Sequence, residues 1–224
     1  MKTEPPVTTV IYDLDGVLLD TEPIYTEVTQ TIVGRWGKVF DWSVKSNMIG
    51  RRSIDAARYL VERLDLPISA EEYLELRQAG LDEGFSRAPA IAGAERFSRA
   101  LEARGLRQGI ATSSERRQFE LKSSSHTEWF SIFRTAVTGD DARVGSGKPA
   151  PDIFLVAAAE LQASPESCLV FEDSPSGVQA AVAAGMRVVA IPDPRMDVTR
   201  YEDADLVVGG FDAIDIDALP LLGA

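Results

Sequence analysis

Six side chains in this sequence could carry one reaction if the chain brings them together. They are Asp13 and Asp15 in "DLDG", Thr112 in "ATSS", Lys148 in "GKP", and Glu172 and Asp173 in "FEDS". Residues two apart on an extended chain point to the same side, so Asp13 and Asp15 can serve one site. Asp13 is placed to attack a phosphorus and form an aspartyl-phosphate. Asp15 is placed to protonate the leaving oxygen and then to take a proton from the attacking water. An anionic nucleophile approaching a phosphate is repelled: two unit charges ~4 Å apart interact by roughly 4 kcal/mol at an effective dielectric of about 20. A cation must offset this. Asp13, Glu172 and Asp173, with a backbone carbonyl at Asp15, form an all-oxygen set that suits Mg²⁺. Lys148 adds a second positive charge between the carboxylates and the transferring group. Thr112 and Ser113 offer a hydroxyl and backbone N–H donors near the start of a helix. Gly16 removes a side chain where backbone and ligand must approach closely.

Each segment is weak alone: a turn explains "GKP", a cap explains one acid of "FEDS", and Thr112 fits a strand as a β-branched residue. Their placement joins them. Apolar, β-rich runs at Val7 to Tyr12, Gln108 to Ala111, Thr135 to Val137, Cys168 to Phe171, Val188 to Ile191 and Leu206 to Val208 predict strands buried on both faces. Helical patterns fall between them at Ala94 to Arg104, Glu115 to Ser124, Pro151 to Leu161 and Pro175 to Ala184. Gly105 and Gly185 sit where a glycine closes a helix, and Ser174-Pro175 reads as a cap followed by the first helical position. Strand alternating with helix predicts an α/β fold with a parallel sheet. "DLDG", "ATSS" and "FEDS" then fall at strand ends, where open α/β sheets bind ligands.

From Glu22 to Arg87 the rhythm changes to successive helices, "EPIYTEVTQTIVGRWG", "SIDAARYLVERLDL" and "SAEEYLELRQAGLDEGF". Ser53 and Ser69 are candidate caps, and Ser69 with Glu72 fits a capping box. The expected division is a core of residues 1–21 and 88–224 with a helical insert of 22–87, read as a lid.

The 224 residues carry 23 Lys and Arg against 35 Asp and Glu, a formal charge of -12. Such a surface repels a phosphate backbone, which argues against a nucleic-acid polymer. No apolar run approaches the roughly 18 residues of a membrane helix, and "MKTEPPVTTV" does not read as a signal peptide. The expectation is a cytoplasmic monomer acting on a small phosphorylated metabolite, with no membrane partner. Cys168, the only cysteine, excludes an internal disulfide and reads as buried and inert.

The four segments, in this order and spacing, resemble the haloacid dehalogenase (HAD) superfamily of phosphotransferases. "DLDGVLLDTEP" is similar to its first motif, "ATSS" to the second, Lys148 in "GKPAPDIF" to the third and "FEDSPSG" to the fourth. The resemblance implies a Rossmann-like core with a helical (C1-type) cap inserted after the first motif. It also implies the roles already read: Asp13 nucleophile, Asp15 acid/base, Thr112 and Lys148 on the phosphate, Glu172 and Asp173 on magnesium. The family usually has Phe where this chain has Tyr12. Asp15 argues against dehalogenation, whose enzymes differ at that position. "VLLDTEPIY", "WSVKSNMIGRR", "SSSHTEWFSIF" and "CLVFEDSPSGVQAAVAAGM" resemble the pseudouridine-5′-phosphatase-like branch. The implied activity is hydrolysis of a small phosphomonoester, nucleotide-like or a sugar phosphate. A β-phosphoglucomutase-like phosphomutase would keep the same residues, and a non-catalytic binding protein on this fold is the alternative of another class.

Other residues have plainer readings. Arg51 and Arg52 in "MIGRRS" either send one side chain to the substrate or form a solvated pair. Asp140 and Asp141 read as turn or cap residues, or one of them orients Lys148. His126 reads as a surface or helix-end residue, and Trp36, Trp42 and Trp129 as packing residues.

Overall fold

The computed structural model describes residues 5–49 and 53–217. Gly50, Arg51 and Arg52 lie outside the described residues, so the expectation for the arginine pair is not addressed. The chain divides into two compact units, one of Met1–Asp20 with Pro89–Ala224 and one of Thr21–Ala88.

The first unit is built on six strands: β1 Thr9–Tyr12, β2 Arg107–Thr112, β3 Thr135–Thr138, β4 Cys168–Glu172, β5 Arg187–Ala190 and β6 Leu206–Val207. Every expected strand forms, with ends shifted by one or two residues. All pairings are parallel, in the order β3-β2-β1-β4-β5-β6, a Rossmann-like sheet. β1 and β4 are buried along their whole length, which is why their sequences run apolar without alternation. Chain order reverses between β1 and β4, so the crevice at their C-terminal ends is the ligand position this topology offers.

Helices α5 Ala94–Ala103, α6 Arg116–Ser123, α7 Thr127–Phe130, α8 Asp152–Glu160 and α9 Pro175–Ala183 complete the unit. They follow α1 to α4 of the second unit in chain order. The strand period of two sends neighbouring β1 residues to different cores. Ile11 joins an aliphatic cluster with Phe154, Ala157, Val170 and Val178. Tyr12 stacks on Phe171, which meets Phe97 and Phe211. A buried tyrosine hydroxyl needs a partner, and Tyr12 donates to Gln108 Oε1 at 2.7 Å, while Gln108 Nε2 donates to the Ser98 carbonyl. That pairing accommodates Tyr where the family pattern has Phe.

The second unit contains α1 Glu22–Gly34, α2 Trp42–Lys45, α3 Ser53–Leu64 and α4 Ala70–Phe85. The capping box of Ser69 and Glu72 is present. The short α2 has too few residues to show a period in sequence; Asp41 caps it by accepting from Val44 N. Ile32, Val33, Phe40, Leu60 and Tyr73 form this unit's own core. α1 and α4 pack closely because Gly84 carries no side chain: a Cβ there would lie 2.3 Å from Ile24 Cγ2. Among the described residues no helix is long and apolar enough to cross a membrane.

Candidate active site

Asp13 is the first residue past β1, and its N–H still donates to the Phe171 carbonyl of β4 at 2.9 Å. The chain then turns through a tight loop. Leu18 N and Leu19 N both donate to the Leu14 carbonyl, Gly16 N donates to the Leu19 carbonyl, and Leu14, Val17, Leu18 and Leu19 anchor the loop in the core. Gly16 has φ +79°, and a Cβ there would fall 2.3 Å from Asp173 Oδ2. Only glycine combines that conformation with so close a carboxylate.

Lys148 comes from the loop before α8 and reaches the centre of the site. Its ammonium bonds Asp13 Oδ1, Glu172 Oε1 at 2.6 Å and the Ala111 carbonyl at 3.2 Å. Glu172 is fully buried, and its other oxygen accepts from Asp173 N, Ser174 N and Ser174 Oγ at 2.8–3.0 Å. Both Glu172 oxygens thus accept from protein donors, as a buried carboxylate requires. Gly177 makes room for it: a Cβ there would lie 1.7 Å from Glu172 Oε1. Ser174 caps α9 by accepting from Gly177 N, as the sequence predicts.

One ammonium shared by two buried carboxylates cannot neutralise both. Burial pushes the Asp13 carboxyl up to about 7; Lys148 opposes this, while Glu172 and Asp15 add to it. Lys148 itself is burdened by burial, but Asp13 and Glu172 together hold its pKa above the usual lysine range.

Asp15 turns to different partners. Its Oδ1 and Oδ2 accept from Lys122 Nζ at 2.6 and 2.9 Å, and Ser114 Oγ donates to Oδ2 at 2.9 Å. Lys122 is completely buried. Neither Ser114 nor Lys122 was singled out in the sequence. Lys122 lies three residues after Phe119 and so shares its helix face, a spacing that says nothing of Asp15. Thr112 is buried at the end of β2, its hydroxyl accepting from Ser114 N at 3.1 Å, while Ser113 is exposed. Asp140 accepts from Arg116 N at 2.9 Å at the start of α6, and Asp141 binds Arg143 at 2.6 Å. These are turn and cap roles; the orientation of Lys148 is set by Asp13, Glu172 and Ala111 instead. Cys168 is buried, which pushes its thiol up to about 11. His126 ends a short 3-10 turn and stacks on Phe130.

The donors are carboxylate oxygens, the type a hard divalent cation takes, while among the described residues no three such side chains converge into a preformed metal cluster. Four carboxylates, Asp13, Asp15, Glu172 and Asp173, are matched in this site by two lysines, Lys122 and Lys148. The surplus of two negative charges, all on oxygen, is what a small dication neutralises. Asp173 contributes a carboxylate that lies against the Gly16 backbone, next to the end of β1.

Comparison with known proteins gives the same direction. Residues 7–185 match the family model of haloacid dehalogenase-like hydrolases. (DL)-glycerol-3-phosphatase 2 of Arabidopsis thaliana is 44% identical over 207 residues, covering 90% of this chain and 86% of its own. A Drosophila melanogaster protein named "Probable pseudouridine-5′-phosphatase" is 43% identical over 205 residues, covering 90% of this chain and 89% of its own. Among solved structures, a HAD family hydrolase from Deinococcus radiodurans, with bound phosphate and sodium, aligns with a TM-score of 0.74 at 30% identity over 91% of each chain.

Proposed function

The chain belongs to the haloacid dehalogenase-like hydrolase family and is a phosphoric monoester hydrolase, and from that premise we propose Mg²⁺-dependent hydrolysis of a small phosphomonoester through an aspartyl-phosphate on Asp13. One observation carries the reading: two carboxylates two residues apart just past the end of β1, Asp13 held by the buried Lys148 that it shares with Glu172 and Asp15 held by the buried Lys122.

In this reading an Asp13 oxygen attacks phosphorus while the ester oxygen leaves. Asp15 gives that oxygen a proton, then takes one from the water that hydrolyses the aspartyl-phosphate. Lys148 keeps Asp13 in place and offsets charge on the transferring phosphoryl group. Thr112 and the backbone N–H of Ser113 bind its oxygens. Asp13, Asp173 and the backbone carbonyl of Asp15 would hold magnesium, whose positive charge would offset the repulsion between the two approaching anions. Glu172 acts through Lys148 and the Asp173 loop. The relatives' names support glycerol 3-phosphate and pseudouridine 5′-phosphate as substrates of the right size.

A phosphate-release panel of glycerol 3-phosphate, pseudouridine 5′-phosphate and sugar phosphates, with magnesium or with a chelator, tests this. The expected result is release from at least one ester, lost on chelation. Conversion of a sugar 1-phosphate to the 6-phosphate without free phosphate would replace hydrolysis by a mutase reaction. No turnover of any ester would favour a binding role.

A further inference from the structure

A lysine with no exposed surface is rare in proteins, because its ammonium loses water that only well-placed acceptors can replace. Lys122 is such a residue, one position from the end of α6. Its Nζ donates to both oxygens of Asp15 and to Ser114 Oγ at 2.8 Å, and the same hydroxyl donates to Asp15 Oδ2. The three groups close a ring of hydrogen bonds, so the Asp15 carboxylate is fixed in rotation as well as in position. Nothing in the fold needs this ring for burial of apolar surface. A methionine would fill the Lys122 volume.

The geometry points to Lys122 and Ser114 as positioning residues that hold Asp15 in the orientation its proton transfers require. This rests on the phosphatase reading above. Asp15 moves a proton twice, and a misplacement of about 1 Å can cost roughly 10²-fold in rate. The two half-reactions depend on it unequally. When Asp13 attacks an aryl ester such as 4-nitrophenyl phosphate, the P–O bond breaks and nitrophenolate leaves with its electron pair, needing no proton. In the second half, water attacks the same phosphorus, its proton passes to Asp15, and the P–O bond to Asp13 breaks to release inorganic phosphate. An ester of an aliphatic alcohol needs Asp15 in both halves.

The experiment is rapid-mixing kinetics of Lys122→Met and Ser114→Ala beside wild type and Asp15→Asn, with magnesium present. Lys122→Met is expected to release close to one equivalent of nitrophenolate in a burst and then to turn over slowly. Its kcat on glycerol 3-phosphate, or on the best aliphatic ester of the panel, should fall roughly 10- to 100-fold. Ser114→Ala should shift both readouts the same way by a smaller factor, and it keeps the test available if Lys122→Met does not fold. A burst in Asp15→Asn but in neither positioning variant, with both esters slowed equally, would overturn the inference and leave the phosphatase reading intact. Wild-type kinetics in both variants would overturn it as well. Absence of a burst in Asp15→Asn itself would remove the acid/base assignment, and the inference with it.

Discussion

The two aspartates of the site stand two residues apart and are held in opposite ways. The Asp13 side chain is 9% exposed, and its lysine spans from Ala111 on β2 to Glu172 on β4. Three neighbouring strands therefore fix it, and strands in register leave no slack. The Asp15 side chain is 23% exposed and is held by a loop serine and a helix lysine. The difference suits the two tasks proposed above. A nucleophile must meet phosphorus at one point, whereas a proton carrier must also exchange with water.

The comparison can be broken from its tighter side first. Asp13→Asn removes the proposed nucleophile of the first half-reaction, so no aspartyl-phosphate forms for water to attack in the second, and phosphate release should fall by roughly 10³-fold or more; near-normal release would remove the assignment. Lys148→Met leaves Asp13 and Glu172 buried together without their ammonium. Losing one partner of a buried pair costs about 3–5 kcal/mol, which urea unfolding of the magnesium-free protein would read as a lower midpoint. An unchanged midpoint would mean the carboxylates are not held as described. Gly177→Ala drives a methyl into Glu172 and should cost roughly 1–3 kcal/mol, together with activity, because Lys148 loses its anchor.

The smallest effect is a pH dependence. The Asp13 carboxyl titrates at 3.8 when unperturbed and at about 7 in the folded, metal-free protein. Between those values the folded state holds a proton that the unfolded chain has lost, so this group's contribution to stability falls as pH rises from about 4 to 7. Asparagine has no such proton. In the presence of a chelator, Asp13→Asn should gain stability relative to wild type as pH rises across that window, and then level off. A difference that stays flat with pH would show that burial does not govern Asp13.

Much of the site is legible in sequence for a local reason. Asp13, Asp15, Glu172 and Asp173 follow apolar runs directly, and a carboxylate at the end of a buried strand is conspicuous in composition. Lys148 is marked only by its turn, yet its role follows once four carboxylates need cations. Lys122 is different. It lies in "RRQFELKS", a polar stretch with three other basic or acidic neighbours, and reads as a solvated helix residue. Glu172 is legible as an acid at a strand end, but its partners are not: its depth brings its oxygens to Lys148 and to backbone donors. The short helix α2 leaves no period in the sequence, because four residues make barely one turn.

The sequence by itself determined the parallel sheet, the helical stretch between its first two strands and the carboxylates that end β1 and β4. These follow from periodicity and from residue types that act over a few positions. Tertiary structure alone decided which lysine serves which aspartate, and that Asp15 has a buried ammonium at all. Lys122 and Asp15 are 107 residues apart in the chain. Only the folded core, which brings α6 beside the loops that follow β1 and β2, makes them neighbours, and no local pattern encodes a contact of that range.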